Sequence, residues 1–373
     1  MITDEIYEQT LLSYFFPVRA YLDDPSVSEV MINGPGQIYV ERRGQLERTP
    51  ARFPSREALM SAIRNLSQFV GKPIDGEHPI LEGRLPDGSR VEAVIPPASP
   101  NGPSVTIRRF FRDTLTIDRL VGLGAITDLA ARALRGFVIS KLNIIIAGGT
   151  GSGKTSLLNA LSGFVPATER IVVIEDSREV QLQQEHVVQL EARPPDRNGR
   201  GAVSIRDLFR ATLRLRPDRV IVGEIRGGEA LDIVQAMTSG HGGCLGTLHA
   251  SFPRDTLTRL ETMAMMADIG LPLAALRLQI ASGVQLVVQV ARLQDGTRKV
   301  THISEIAGYD PEKQTYVIHD LFVRKYAGVD ENNRIVSELL PTGVVPSFLG
   351  QLQEHGVSMP RDMLDGSAQG KAA

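Results

Sequence analysis

Residues 142–161 read LNIIIAGGTGSGKTSLLNAL. An apolar run rich in β-formers, Leu142 to Ala147, precedes the pattern Gly-x-x-x-x-Gly-Lys-Thr at Gly148–Thr155, and a helical run follows. A strand, a glycine-rich loop and a helix in this order are the context that a phosphate-binding loop requires. The loop's backbone N–H groups and the positive end of the helix dipole attract phosphate. The stretch therefore predicts an α/β fold that binds a nucleotide.

The loop also predicts which groups meet the phosphates and their metal ion. Lys154 is expected to reach the β- and γ-phosphate oxygens, and the Thr155 hydroxyl is expected to ligate Mg²⁺. A glycine-rich turn with an incidental lysine is the alternative, which the strand and helix on either side of the loop disfavour. The predicted nucleotide-binding residues are Gly149, Thr150, Gly151, Ser152, Gly153, Lys154, Thr155 and Ser156.

Strands and helices alternate along the chain from about Leu129. Helical segments separate further predicted strands at residues 170–174, 219–222 and 244–248. Such alternation builds a parallel sheet with helices on both faces. Ligands bind such sheets at the carboxyl ends of the strands, so side chains that follow these strands are expected to meet at one edge.

Three side chains follow predicted strands of this sheet. Glu175 is predicted to orient or deprotonate the attacking water, or else to be an ordinary strand-end cap. Glu224 stands where an aspartate is usual and is assigned to Mg²⁺ and hydrolysis, against the alternative of a solvated acid. His249 is a candidate sensor of the γ-phosphate, although lone histidines are usually structural. With Lys154 these residues form the predicted catalytic set.

A separate α+β domain is predicted before the parallel sheet, because short alternating segments and turns fill residues 20–112. The other predicted segments are a helical stretch at 1–19, a linker at 113–127, the nucleotide-binding domain at 128–340 and a partly disordered tail at 341–373.

Arginines of the α+β domain are candidates for a second role. Hydrolysis of a nucleotide requires positive charge opposite the developing negative charge, and another domain or subunit can donate it. Arg84, Arg90, Arg108 and Arg109 lie on predicted strands of this domain. For each of them an ordinary surface position is the alternative.

Composition excludes several classes of protein. The formal net charge of the 373 residues is −2, so no global basic field points to nucleic acid. The longest apolar runs fall far short of the roughly 18 residues that cross a bilayer. The acidic start differs from a secretory signal, so the cytoplasm is the expected location. Cys244 is the only cysteine, which excludes an intrachain disulfide.

Taken together, the segments around Gly148–Thr155, Glu175, Glu224 and His249 resemble the Walker A, Asp-box, Walker B and His-box motifs of the secretion ATPase superfamily. Glutamate at the Walker B position is that family's habit. Four further stretches are similar to the CpaF-like ATPases of tight-adherence (Tad/Flp) pili: residues 83–91, 105–110, 181–188 and 227–232.

The resemblance implies an architecture and partners. It implies a PAS-like α+β domain followed by a RecA-like ATPase domain, assembled as a homohexamer that uses ATP and Mg²⁺ at the domain junction. Arg90 and Arg108 fall where the family's arginine fingers fall. The expected partners are inner-membrane pilus platform proteins, which would hold the protein at the membrane periphery. The chain beyond Pro311 carries no assigned pattern.

Several functions stay open at this point. The preferred one is a motor for assembly of a Tad/Flp pilus, with retraction left open. The traffic ATPase of a type IV secretion or conjugation system shares all four motifs. A P-loop GTPase or kinase is disfavoured: residues 196–199 fit Asp-x-x-Gly, but no Asn-Lys-x-Asp motif occurs. A catalytically silent ring is disfavoured by the intact acids Glu175 and Glu224.

Overall fold

The structure, a computed structural model, describes residues 13–42, 44–85, 87–109, 115–195 and 199–364. The chain divides into two compact units, one up to residue 113 and one from residue 114 onward. The first unit is built on an antiparallel sheet and the second on a larger, mainly parallel one. The predicted fold class, an α/β nucleotide-binding domain preceded by a smaller α+β domain, is confirmed.

Within the described residues, the first unit is a six-stranded antiparallel sheet with two helices. Its sheet has the order β3-β2-β1-β6-β5-β4. Its elements are α1 (Phe16–Asp23), β1 (Val27–Asn33), β2 (Ile38–Arg42), β3 (Gln45–Arg48), α2 (Arg56–Val70), β4 (Ile80–Arg84), β5 (Arg90–Val94) and β6 (Ser104–Arg108).

Helix α2 has clear capping residues at both ends. The Ser55 side chain caps its first turn by accepting the Ala58 N–H. The helix ends at Gly71, which adopts the left-handed φ of 72° that glycine tolerates best. Its apolar stripe, including Leu59 and Ile63, is fully buried in the core of this unit.

The second unit is a nine-stranded sheet covered by helices, with the order β15-β14-β13-β12-β7-β11-β10-β8-β9. The strands are β7 (Ile144–Gly148), β8 (Ile171–Glu175), β9 (Val187–Glu191), β10 (Arg219–Val222), β11 (Leu245–Leu248), β12 (Leu286–Arg292), β13 (Arg298–Asp310), β14 (Thr315–Val329) and β15 (Ile335–Pro341). The helices are α3 (Ile117–Gly122), α4 (Asp128–Ile139), α5 (Lys154–Ser162), α6 (Ile205–Thr212), α7 (Glu229–Thr238), α8 (Pro253–Met265), α9 (Leu273–Gly283), α10 (Leu349–Glu354) and α11 (Arg361–Leu364).

The central strands of this sheet are parallel and buried on both faces. Every residue of β7, β8, β10 and β11 is buried. Helices on both faces account for this burial, and it explains why these strands read as continuous apolar runs rather than alternating ones. All four run in the same direction, so their carboxyl ends lie at one edge.

The predicted linker and tail both contain residues that pack into the second unit. Helix α3 lies inside the predicted linker at 113–127, and Leu120, Ala125 and Ile126 are buried in the core of the second unit. In the predicted tail at 341–373, the Phe348 ring packs edge-on against Phe137 at 5.2 Å between centroids. Both segments are therefore packed structure within the described residues; residues 365–373, like residues 1–12, lie outside them.

Strands β13, β14 and β15 extend the parallel sheet with antiparallel pairs. Of these, β14 and β15 lie beyond Pro311, where the sequence carries no assigned pattern. Register shifts interrupt the pairing of β14 with both neighbours, so its side chains do not alternate regularly between a buried and an exposed face. Across the described residues, none of the helices has both the length and the apolar character to cross a bilayer.

Candidate active site

The glycine-rich loop connects β7 to α5 in the conformation that a phosphate cradle needs. Gly151 and Gly153 have φ values of 65° and 96°, which favour glycine. A Cβ on Gly148 would lie 2.5 Å from the Val290 carbonyl oxygen, so no larger residue fits there without a shift. The buried Ser152 hydroxyl donates to the Gly149 carbonyl at 2.8 Å. The glycines and the Ser152 hydrogen bond thus fix the conformation of the loop at the N-terminus of a helix.

Lys154 lies inside this loop. Its side chain is almost fully buried, and its Nζ donates to the carbonyl oxygens of Gly148 and Gly149, each at 3.1 Å. The same nitrogen is 3.4 Å from Nε2 of His249, which follows β11. A buried ammonium group inside the loop is placed to attract the phosphate oxygens of an incoming nucleotide.

Glu224 follows β10 and is fixed from two sides. Its Oε2 accepts from Nε of Arg226 at 2.9 Å, and Nη1 of Arg226 reaches Asp176 at 2.6 Å. Its Oε1 lies 2.7 Å from Nε2 of His249, without the alignment of a hydrogen bond. Burial, and then the nearby charge of Lys154, lower the pKa of His249 against the opposing effect of Glu224. The lowered pKa favours the neutral imidazole, whose Nε2 lies between the Lys154 ammonium and the Glu224 carboxylate.

Two acids, Glu175 at the end of β8 and Glu179 in the loop after it, lie where the sequence predicts one functional acid. Glu175 is 3% exposed, and its Oε1 accepts the backbone N–H groups of Glu179 and Val180, both at 2.8 Å. It therefore holds the loop after β8 through this oxygen, and its role at the attacking water stays a prediction. The Thr155 hydroxyl donates to Oε2 of Glu179 at 3.4 Å. Glu179, which the sequence reasoning missed, is the acid of this loop beside the predicted metal ligand.

The buried carboxyl of Glu175 predicts a pH dependence of stability. Burial raises the pKa of Glu175 to about 7, and the two backbone N–H groups only partly oppose this. Between about pH 4.5 and 7 the folded protein keeps a proton that the unfolded chain releases, so rising pH lowers the free energy of unfolding. Glu175→Gln removes this loss. From pH 5 to pH 8 the variant is expected to gain about 2–3 kcal/mol relative to wild type, measured by urea unfolding.

The exposed Glu185 supplies the control for this measurement. Glu185→Gln changes the same charge on the surface and is expected to leave the pH dependence as in wild type. A stability difference between Glu175→Gln and wild type that stays constant from pH 5 to pH 8 would contradict the burial argument.

The residues around Thr155 fit a magnesium ion bound together with phosphates. Thr155 and Glu179 bring a hydroxyl and a carboxylate together, and Oε1 of Glu224 is a buried oxygen without a hydrogen bond. Such hard oxygen atoms are the donors that Mg²⁺ prefers, and this ion usually keeps waters and phosphate oxygens as its other ligands. Among the described residues, no group of three or more His, Cys, Asp or Glu side chains forms a cage for a metal. The donor set suits a metal that arrives with a nucleotide.

The hairpin between β12 and β13 lies against the other side of the loop, which the sequence reasoning also missed. Nε of Arg298 donates to the Gly151 carbonyl at 2.8 Å. A Cβ on Gly153 would lie 3.3 Å from Cδ of Arg298, and one on Gly151 would lie 3.5 Å from a terminal nitrogen of Arg292. Only the three-dimensional pairing of β12 with β7 brings these arginines to the loop.

Arg90 and Arg108 lie in the first unit, as predicted, on neighbouring strands. Arg90 of β5 is opposite Arg108 of β6 on one side and Arg84 of β4 on the other. Directly opposite residues of an antiparallel pair share a face, so the three form a row across the sheet. Arg108 also lies 3.9 Å from Glu29 of β1. Arg109 instead donates to the carbonyls of Asp24 and Val27, which is a structural contact. A role of Arg90 and Arg108 at the nucleotide stays a prediction.

Comparison with known proteins places these features in a family. Residues 14–331 match the model of a family described as type II/IV secretion system protein. A putative conjugal transfer protein of Mycobacterium tuberculosis is 35% identical over 302 residues, which cover 79% of this chain and 85% of that protein. The type IV secretion system protein PtlH of Bordetella pertussis is 37% identical over 318 residues, covering 77% of this chain and 92% of PtlH.

A solved structure shares the fold. The crystal structure of the pilus retraction motor PilT with bound ADP aligns with a TM-score of 0.52 at 18% identity. The alignment covers 92% of this chain and 90% of PilT. At this identity the likeness concerns the fold alone, a smaller N-terminal domain followed by a nucleotide-binding domain.

Proposed function

Because this chain belongs to the type II/IV secretion system protein family, we propose that it is a ring-forming ATPase motor of a secretion or pilus machine. One observation carries the proposal. The phosphate loop, Glu224, His249 and Glu179 meet at one edge of the parallel sheet, with Lys154 in contact with the loop and 3.4 Å from His249. A loop that binds phosphate thereby acquires the acids and the histidine that hydrolysis requires.

Each side chain receives a role in this proposal. Lys154 and the loop N–H groups bind the β- and γ-phosphates, and Thr155 with Glu224 holds the metal side. Glu179, the acid beside Thr155, orients the attacking water and accepts its proton, a role for which the sequence predicts Glu175. His249 contacts both Lys154 and Glu224, so it is placed to respond to the γ-phosphate. When bound, Mg²⁺ neutralises developing charge on the phosphate oxygens.

The finer function rests on the resemblance to CpaF-like proteins. We propose a homohexamer that couples ATP hydrolysis to domain movement and powers a Tad/Flp pilus from the inner face of the membrane, through platform proteins. Arg90 and Arg108 would supply positive charge to the nucleotide in this assembly. The names of the relatives favour a second candidate, the traffic ATPase of a type IV secretion or conjugation system. Neighbouring genes for prepilin and platform proteins, or for a translocation channel, distinguish the two.

The proposal predicts a metal-dependent ATPase. The purified protein is expected to release phosphate from ATP in the presence of Mg²⁺, and EDTA is expected to reduce the rate by at least about a hundredfold, because the metal neutralises transition-state charge. Restoring Mg²⁺ in excess over EDTA should restore the rate. GTP should compete with ATP only weakly. Undiminished turnover in EDTA, or preferential hydrolysis of GTP, would contradict the proposed function.

A further inference from the structure

The sheet order gives the bound nucleotide a direction. Glu179 follows β8, Glu224 follows β10 and His249 follows β11, and all three strands lie on one side of β7. The reacting γ-phosphate must therefore point toward that side. A nucleoside triphosphate is a linear chain held at its phosphates by the loop after β7. Its nucleoside must then leave the loop on the opposite side, where β12 and β13 lie.

Two arginines occupy that opposite side. Arg292 ends β12 and Arg298 begins β13, and both side chains are exposed beside the loop. The turn between them is fixed, because Asp295 accepts from the Thr297 N–H at 2.9 Å and from the Ile335 N–H at 2.8 Å. The hydrogen bond from Arg298 to the Gly151 carbonyl holds one guanidinium at the rim of the loop. The hairpin thus presents two planar cations on a rigid support.

We propose that Arg292 and Arg298 form the nucleoside side of this site, with a guanidinium plane stacked on the purine base of the bound nucleotide. Guanidinium groups stack on aromatic faces and are less strongly hydrated than ammonium groups, so they suit a half-exposed position beside a base. The inference rests on the proposed nucleotide site and adds to it the residues that select a nucleoside over phosphate alone. Catalysis itself stays with the groups on the other side of β7.

The test compares a nucleotide with a ligand that has no nucleoside. MgADP and magnesium tripolyphosphate are each titrated calorimetrically into wild type, Arg292→Ala, Arg298→Ala and the double variant. The double variant is expected to bind MgADP about tenfold more weakly and tripolyphosphate as wild type does. In ATP hydrolysis its KM should rise by a similar factor while kcat stays within about threefold. Arg298→Lys, which keeps the charge without the plane, should restore ADP binding only in part.

Two results would overturn the inference. Equal weakening of ADP and tripolyphosphate would mean that the arginines only shape the phosphate loop, and unchanged binding of both would mean that they take no part. Arg132→Ala removes an exposed arginine of α4 that pairs with Asp128 at 2.9 Å, and it serves as the matched control. Failure of the proposed nucleotide site is a different result, because wild type itself would then bind neither ligand, and failure of the proposed motor function would appear as binding without ATP hydrolysis.

Discussion

Replacing Lys154 by alanine is expected to reduce ATP turnover on the order of a thousandfold, because one buried ammonium group supplies the charge that the loop directs at the β- and γ-phosphates. The side chain is 8% exposed and contacts the carbonyls of Gly148 and Gly149 and the ring of His249. Nothing else in the loop carries a positive charge. Phosphate release, measured at saturating MgATP, checks the prediction.

Two further variants make this result specific. Lys313→Ala removes a lysine whose side chain is 78% exposed, and it should hydrolyse ATP as wild type does. Glu224→Gln should lose hydrolysis while still binding MgADP, because the loop and Lys154 remain intact. Turnover near the wild-type rate in Lys154→Ala would remove the loop from the active site.

The sequence predicted the parallel sheet well for a physical reason. Strands buried on both faces, such as β7 and β10, consist of apolar residues without interruption, and turns or helices with clear signals separate them. Their order along the chain also determined which side chains follow their carboxyl ends. This order predicts Glu224 and His249 as site residues. In the structure His249 lies beside Lys154, and Glu224 lies beside His249.

The strands that the sequence did not predict have a less regular hydrophobic pattern. β14 has bulges against both neighbours, so its side chains do not alternate regularly between a buried and an exposed face. The segment before α4 was interpreted as a linker because it mixes glycine and aspartate with isolated leucines. Its packing depends on Lys299, which donates to the Leu123 and Gly124 carbonyls, and on partners far away in sequence.

The sequence singles out Glu175 and not Glu179 for a physical reason. The carboxylate next to the strand end was the obvious choice, because position along the strand was the only geometry that the sequence offered. A carboxylate at that position can also turn back and accept the backbone N–H groups of its own loop, as Glu175 does. That turn carries the acid four residues later to Thr155. The conformation of the loop after β8 determines which acid lies beside Thr155. The hydrophobic pattern of a strand carries no information about that conformation.

The contact of Glu179 with Thr155 gives this acid a testable role in hydrolysis. Glu179→Gln is expected to lower kcat by about 10²–10⁴-fold while the affinity for MgADP stays near that of wild type, because the amide cannot accept the proton of the attacking water. Glu175→Gln is expected to stay within about threefold of the wild-type kcat. Its side-chain oxygen can still accept the N–H groups of Glu179 and Val180, so the loop keeps its shape. Steady-state hydrolysis and ADP titration of both variants provide the measurement.

A variant that removes the hydrogen bonds of the loop distinguishes the roles of the two acids further. Glu175→Ala leaves the N–H groups of Glu179 and Val180 without their acceptor in a buried place, which costs about 1–3 kcal/mol and releases the loop. It should therefore lose activity where Glu175→Gln does not. The opposite pattern, with Glu175→Gln inactive and Glu179→Gln near wild type, would return the role in water activation to Glu175. In that case the hydrogen bond of Thr155 to Glu179 would have only a structural meaning.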